Sequence, residues 1–89
     1  MAQILRSEKG GYSKKDVLKK MDAYGSLLFA LDCGMDSETA AAELENIRMM
    51  PIEREEDGFF ARSGFSVEDT DAYFAEMEEK ILNKINGEV

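Results

Sequence analysis

The 89-residue sequence predicts an all-α domain of three helices, two long and one short. Three observations predict this fold class. A glycine–aromatic–serine start signal occurs at Gly11 and again at Gly64, and an apolar stripe with helical spacing follows each copy. Between them, alanine and leucine recur with the same period until Pro51. A chain of this length forms one domain, which we assign to residues 1–89.

The first long helix is predicted over residues 14–32. Ser13 is its N-cap, because its side-chain oxygen can accept from the backbone N–H of Asp16 while that carboxylate reaches back towards the cap. Gly11 supplies the turn before the cap, and Tyr12 can pack on Val17 as a hydrophobic staple. The sequence Cys33-Gly34 is typical of a helix end.

One apolar stripe and a second apolar row follow this start. The stripe has spacings of three and four residues and consists of Val17, Met21, Tyr24, Leu28 and Leu31. Leu18, Gly25 and Phe29 form the second row, which widens the stripe. Gly25 costs about 1 kcal/mol against alanine in mid-helix, so it either marks a close helix contact or is merely tolerated.

The short second helix is predicted from Asp36 or Ser37 to about residue 50. Its apolar side consists of Ala40, Ala41, Leu44, Ile47 and one of two methionines. Pro51 ends it, because the residue before a proline avoids helical angles. Residues 51–61 are predicted as an extended, partly ordered loop, and a short hairpin around Asp57-Gly58 remains an alternative.

The third helix is predicted over residues 67–86, and its start repeats the first. Gly64, Phe65, Ser66 and Asp69 stand where Gly11, Tyr12, Ser13 and Asp16 stood. Its stripe begins at Tyr73 or Phe74 and continues through Met77, Ile81 and Ile85, with Leu82 flanking it. The chain is therefore two turn-plus-helix repeats, residues 9–33 and 62–87, bridged by the helix at 37–50. We expect the long helices to be antiparallel and a second copy to complete the bundle, because their stripes exceed what one short helix can cover.

Charge and residue types limit the function. The net charge is −8, yet residues 1–20 hold six cations and two anions, while the remainder holds five cations and seventeen anions. These are either ordinary solvated faces or ends that attract each other, within one copy or between two. The excess of acidic residues disfavours binding to nucleic acid, whose phosphates they would repel. With no histidine and one cysteine, we expect no catalytic residue, metal, cofactor or disulfide, and a cytoplasmic protein.

The repeated start also resembles the motif of DivIVA-type proteins, bacterial scaffolds of division sites and cell poles. The second copy carries it from Arg62 to Phe74, with an extra Ser63 and with Thr70 where the family has valine. The first copy, from Lys9 to Met21, keeps Gly-Tyr and Asp-Val but lacks the later acid and aromatic. The resemblance covers about 25 of the 89 residues. It implies a helical, self-associating module of a cell-division scaffold rather than an enzyme.

The resemblance also implies a membrane contact through a loop aromatic beside an arginine. Here these residues would be Phe59, Phe60 and Arg62. The acids just upstream would be repelled by anionic lipid, so packing of the phenylalanines in the core or in a dimer interface is the competing interpretation. The sequence thus predicts a protein-interaction module that binds itself and an unidentified protein. The alternative is a peripheral membrane adaptor.

Overall fold

The fold is mostly helical, but it includes a small sheet that the sequence analysis did not predict. A computed structural model describes residues 5–55 and 63–87. Within these ranges the elements are β1 (Ser7–Lys9), α1 (Lys14–Asp32), α2 (Ser37–Arg48), β2 (Ser63–Phe65) and α3 (Val67–Ile85). The three predicted helices are confirmed, and the all-α class is corrected to three helices with one two-stranded sheet.

The sheet joins the N-terminal segment to the segment that leads into α3. β1 and β2 pair antiparallel, with Ser7 opposite Phe65, Glu8 opposite Gly64 and Lys9 opposite Ser63. Both strands are three residues long and carry no alternation of apolar and polar residues, which is the signal by which strands are recognised in a sequence. The sheet therefore depends on a long-range pairing that cannot be predicted from the local sequence.

The helix bounds follow the predicted caps closely. Asp36 caps α2, with its carboxylate accepting from the backbone N–H of Thr39 at 3.1 Å. α2 ends at Arg48, two residues before the predicted position, because Met49 is its C-cap and donates its N–H to the Glu45 carbonyl. Gly34 follows α1 with φ at 101°, as expected of a glycine just past a helix end.

α1 and α3 lie side by side and run parallel, so the antiparallel arrangement predicted for them is wrong. Their first turns meet because Tyr12 and Phe65, which precede the two N-caps, are bridged to each other. Their last turns meet through the ion pair of Lys84 with Asp32. α2 returns between these ends: the Ser37 hydroxyl donates to the Ile85 carbonyl, and Arg48 reaches Glu78. Paired helix starts place both N-termini at one end of the molecule.

The predicted stripes pack against each other inside one chain. The core consists of Val17, Tyr24, Leu27, Ala40, Leu44, Ile47, Phe74, Met77 and Ile81, and the half-buried Met21, Leu28, Leu31 and Ile85 lie against it. Since α1 and α3 cover each other, their stripes no longer require a second copy. Thr70 takes the place in α3 that Val17 takes in α1, and both side chains are 0% exposed.

The predicted loop is described only as far as residue 55. In this part Arg54 forms an antiparallel bridge with Tyr12, so the segment lies along the start of α1. The hairpin turn considered at Asp57-Gly58 lies outside the described residues, and so do Phe59, Phe60 and Arg62.

Candidate functional site

The two copies of the repeated motif contact each other at the N-terminal end of the helices. We call residues 11–16 the first entrance and residues 64–69 the second entrance. Tyr12 donates its backbone N–H to the Phe65 carbonyl at 2.9 Å, and Phe65 donates its own to the Tyr12 carbonyl at 2.9 Å. The aromatic residues of the two copies thus form a reciprocal pair, and the copies are related by a local, approximate two-fold arrangement.

The glycine of each entrance allows this close contact. A Cβ on Gly11 would overlap the carbonyl oxygen of Phe65, and a Cβ on Gly64 would overlap that of Tyr12. The motif glycines are therefore required for approach of one backbone to the other. The turn that the sequence analysis assigned to Gly11 is made instead by the preceding Gly10, whose φ is 71°.

The serine and acid of the first entrance hold a crossing segment. Ser13 caps α1 as predicted, accepting from the Asp16 N–H at 3.4 Å. Its own backbone N–H donates to the Glu53 carbonyl at 2.7 Å, and the Asp16 carboxylate accepts from the Glu53 N–H at 3.1 Å. Asp16 therefore reaches the neighbouring segment, whereas the capping-box prediction had it reach back to its own cap.

The second entrance repeats this arrangement with the N-terminal segment. The Ser66 side chain accepts from the Asp69 N–H at 3.3 Å, and the Ser66 N–H donates to the Arg6 carbonyl at 2.6 Å. Asp69 accepts the Arg6 backbone N–H at 3.0 Å. The segment that precedes each entrance in sequence is thus bound by the other entrance. Neither Arg6 nor Glu53 carries a sequence signal for this role, because the contacts that the two segments share are made by backbone atoms.

Arg6 adds a charged pair to the second entrance. Its guanidinium donates to both carboxylate oxygens of Asp69, at 2.8 and 2.9 Å. The hydrogen bonds from Arg6 lower the pKa of Asp69 to about 2. Bidentate contacts of this kind constrain geometry and also add charge attraction, so the pair of Arg6 with Asp69 helps to hold β1 in its register.

The entrance aromatics reach the opposite helix. The Tyr12 hydroxyl donates to Asp71 at 2.9 Å, and burial, with this hydrogen bond as the next cause, raises the pKa of Tyr12. The Lys14 ammonium lies 5.3 Å from the centre of the Phe65 ring, within the range of a cation–π contact. Both aromatics therefore connect α1 with α3.

A polar network that sequence analysis missed lies where the three helices meet. The Tyr24 hydroxyl donates to Glu78 at 2.8 Å, and Arg48 donates to the other oxygen of that carboxylate at 2.7 Å. Burial and the bond to Glu78 raise the pKa of Tyr24. Burial alone would raise the pKa of Glu78, but the bonds from Tyr24 and Arg48 outweigh it and lower that pKa. The network ties α2 to the long helices.

Four large apolar side chains are exposed among the described residues: Leu18, Phe29, Met49 and Leu82. Leu18 and Phe29 belong to the second apolar row of α1, so that row faces solvent and does not widen the core stripe as expected. Cys33 is a free, exposed thiol at the end of the same helix.

Within residues 5–55 and 63–87, no three acidic or cysteine side chains come together as a metal-binding group. No helix in these ranges has the length and apolar character that crossing a membrane requires.

Comparison with known proteins adds no relative: no family model, no curated protein and no solved structure matches the chain. The functional interpretation therefore depends on the motif and on the geometry of the two entrances.

Proposed function

We propose that the protein is a non-catalytic interaction module that associates with itself and serves as a scaffold in the manner of DivIVA-type proteins. One observation carries the proposal. The glycine, aromatic, serine and acid of each motif copy take part in contacts that join one segment of the chain to another. Since the motif residues hold the two helices together, we expect partners to bind the outer faces of those helices.

The exposed apolar side chains support an outer face that binds protein. Phe29 is 70% exposed and Leu18 is 53% exposed. A chain of 89 residues has a small core, so large apolar side chains left in solvent are costly unless they bind a partner. We expect the partners to be a second copy of the chain and another protein, and the setting to be the cytoplasm at a division site or cell pole, as the motif implies. Membrane contact through Phe59, Phe60 and Arg62 remains a prediction of the resemblance alone.

Two measurements test the proposal. Light scattering coupled to size-exclusion chromatography should give a mass that rises with protein concentration, and a mass of 10.0 kDa at every concentration would contradict self-association. A fluorescent fusion in a dividing rod-shaped bacterium should concentrate at septa or poles. Uniform fluorescence, with the fusion intact, would contradict the scaffold role.

A further inference from the structure

The exposed row on α1 has a composition that the fold itself does not require. Leu18 and Phe29 lie about three helical turns apart, which places them on one face and about 16 Å from each other. Gly25 lies between them on that face. It is exposed, and apart from its two chain neighbours and the backbone of its own helix, no atom of the described residues lies within 4 Å of the position that its Cβ would take.

Close packing within residues 5–55 and 63–87 therefore does not require a glycine at position 25. Glycine is the poorest helix former after proline, and alanine would fit at this position without contact. A glycine flanked by two large exposed apolar residues instead permits another helix to approach the backbone closely. The sequence left open a close helix contact at Gly25 or a glycine that is merely tolerated. The structure shows no such contact among the described residues, so a close contact at Gly25 would have to be with a partner helix.

Charge indicates which partner fits. α1 carries four lysines and three aspartates, for a net charge of +1, whereas α2 carries a net −2 and α3 a net −4. Two copies, each of net charge −8, repel each other over most of their surface, and α1 is the helix where that repulsion is smallest.

The row is also complementary to itself when one copy is reversed. Lys15 lies near its beginning and Asp32 near its end, and both are exposed. Asp32 pairs with Lys84, yet its side chain remains 60% exposed. In an antiparallel contact Lys15 of each copy faces Asp32 of the other, and Leu18 faces Phe29. Antiparallel helices also oppose their dipoles favourably.

We propose that a second copy of this chain docks on the α1 face formed by Leu18, Gly25 and Phe29, with the two α1 helices antiparallel and crossing near Gly25. The proposal rests on the self-association proposed above and assigns it a surface and an orientation. It is an interface separate from the core stripes, which one chain already covers.

The variant Gly25→Leu tests the crossing point. A side chain at this position meets nothing among the residues that the structure describes, so the melting temperature should stay equal or rise. The dissociation constant of the dimer should increase at least about tenfold, as for a central interface residue. Ala42→Leu, which adds a leucine at an exposed site on α2, is the matched control and should leave the dissociation constant unchanged. Phe29→Glu, at a 70% exposed position, should weaken the dimer in the same way.

Sedimentation of these proteins in reductant, from about 1 µM to about 1 mM, spans the range of ordinary transient affinities. A wild-type dimer unaffected by Gly25→Leu and Phe29→Glu would overturn the assigned surface and leave the proposed function standing. A wild-type monomer throughout would overturn both.

Charge reversal tests the orientation. Lys15→Glu should weaken the antiparallel dimer, because it places an acid opposite Asp32. Adding Asp32→Lys to the same chain should restore the wild-type dissociation constant. A double variant as weak as the single one would overturn the antiparallel orientation.

Discussion

Replacing Thr70 by valine would remove the one buried side-chain oxygen that lacks a hydrogen-bond partner among the described residues. The side chain is 0% exposed and lies in the core at the position that Val17 holds in the first repeat. The two side chains have nearly the same shape, so the substitution exchanges a hydroxyl for a methyl group without opening a cavity.

The expected gain follows from the state of that hydroxyl. A buried polar group without a partner costs roughly 1–3 kcal/mol. Threonine and valine differ little in helix propensity, so the backbone contribution cancels. We expect Thr70→Val to raise the free energy of unfolding by about 1–2 kcal/mol, a shift of roughly 4–8 °C in melting temperature for each kcal/mol in a domain of this size.

Denaturant and thermal unfolding, followed by circular dichroism, measure this gain. Val17→Thr is the matched control: it buries a hydroxyl at the equivalent 0% exposed position and should lower stability by a similar amount. If Thr70→Val left the unfolding free energy unchanged or lowered it, the hydroxyl would have a partner. The equivalence of the two core positions would then fail.

Four further substitutions probe the entrances, the mid-helix glycine of α1 and the polar network. Gly64→Ala should destabilise the fold by more than about 2 kcal/mol, because its Cβ overlaps a carbonyl oxygen, whereas Gly25→Ala should stabilise it by up to about 1 kcal/mol in the same melting experiment. Because the pKa of Asp69 is lowered, its ion pair with Arg6 stabilises the fold above pH 3.8, and this stabilisation is lost as the pH falls towards 2. Asp69→Asn should therefore reduce the drop in melting temperature between pH 3.8 and 2. An unchanged pH profile would show that the pair of Arg6 with Asp69 does not stabilise the fold. Tyr24→Phe should cost about 1–2 kcal/mol in denaturant unfolding, since it removes one donor from Glu78, and a neutral result would refute this role.

The helices could be predicted from the sequence because their signals are local. Ser13, Ser66 and Asp36 act within one turn of the residues they cap, and the apolar spacing is set by the helix itself. A start signal therefore identifies its own helix wherever that helix later packs.

The direction of packing could not be predicted in this way. Nothing in either motif copy states that Tyr12 bonds to Phe65, and without that bond the sequence predicts that the two long helices run antiparallel. The parallel geometry and the sheet both depend on this long-range contact. The row of Leu18 and Phe29 was misassigned for the same reason: periodicity identifies apolar faces but does not tell which of two neighbouring faces is buried.

The opposite charges of the two repeats are explained by which neighbouring segment each entrance binds. The basic first entrance, with Lys14 and Lys15, binds the segment containing Glu53, and the acidic second entrance binds Arg6. If each segment folded back on the entrance that follows it in sequence, Arg6 would lie beside the lysines and Glu53 beside the acids of α3. Charge thus disfavours the alternative pairing, although the backbone hydrogen bonds would be the same in both.

Selection of the segment by charge predicts a sign-dependent effect at Arg6. Arg6→Glu should lower the melting temperature more than Arg6→Gln does, because the glutamate is repelled by Asp69 while the glutamine only loses the ion pair. The difference between the variants should shrink in high salt, which screens exposed charges beyond a few ångströms. Equal melting temperatures for the two variants at low salt would show that charge does not select the crossing segment and that the backbone contacts alone determine it.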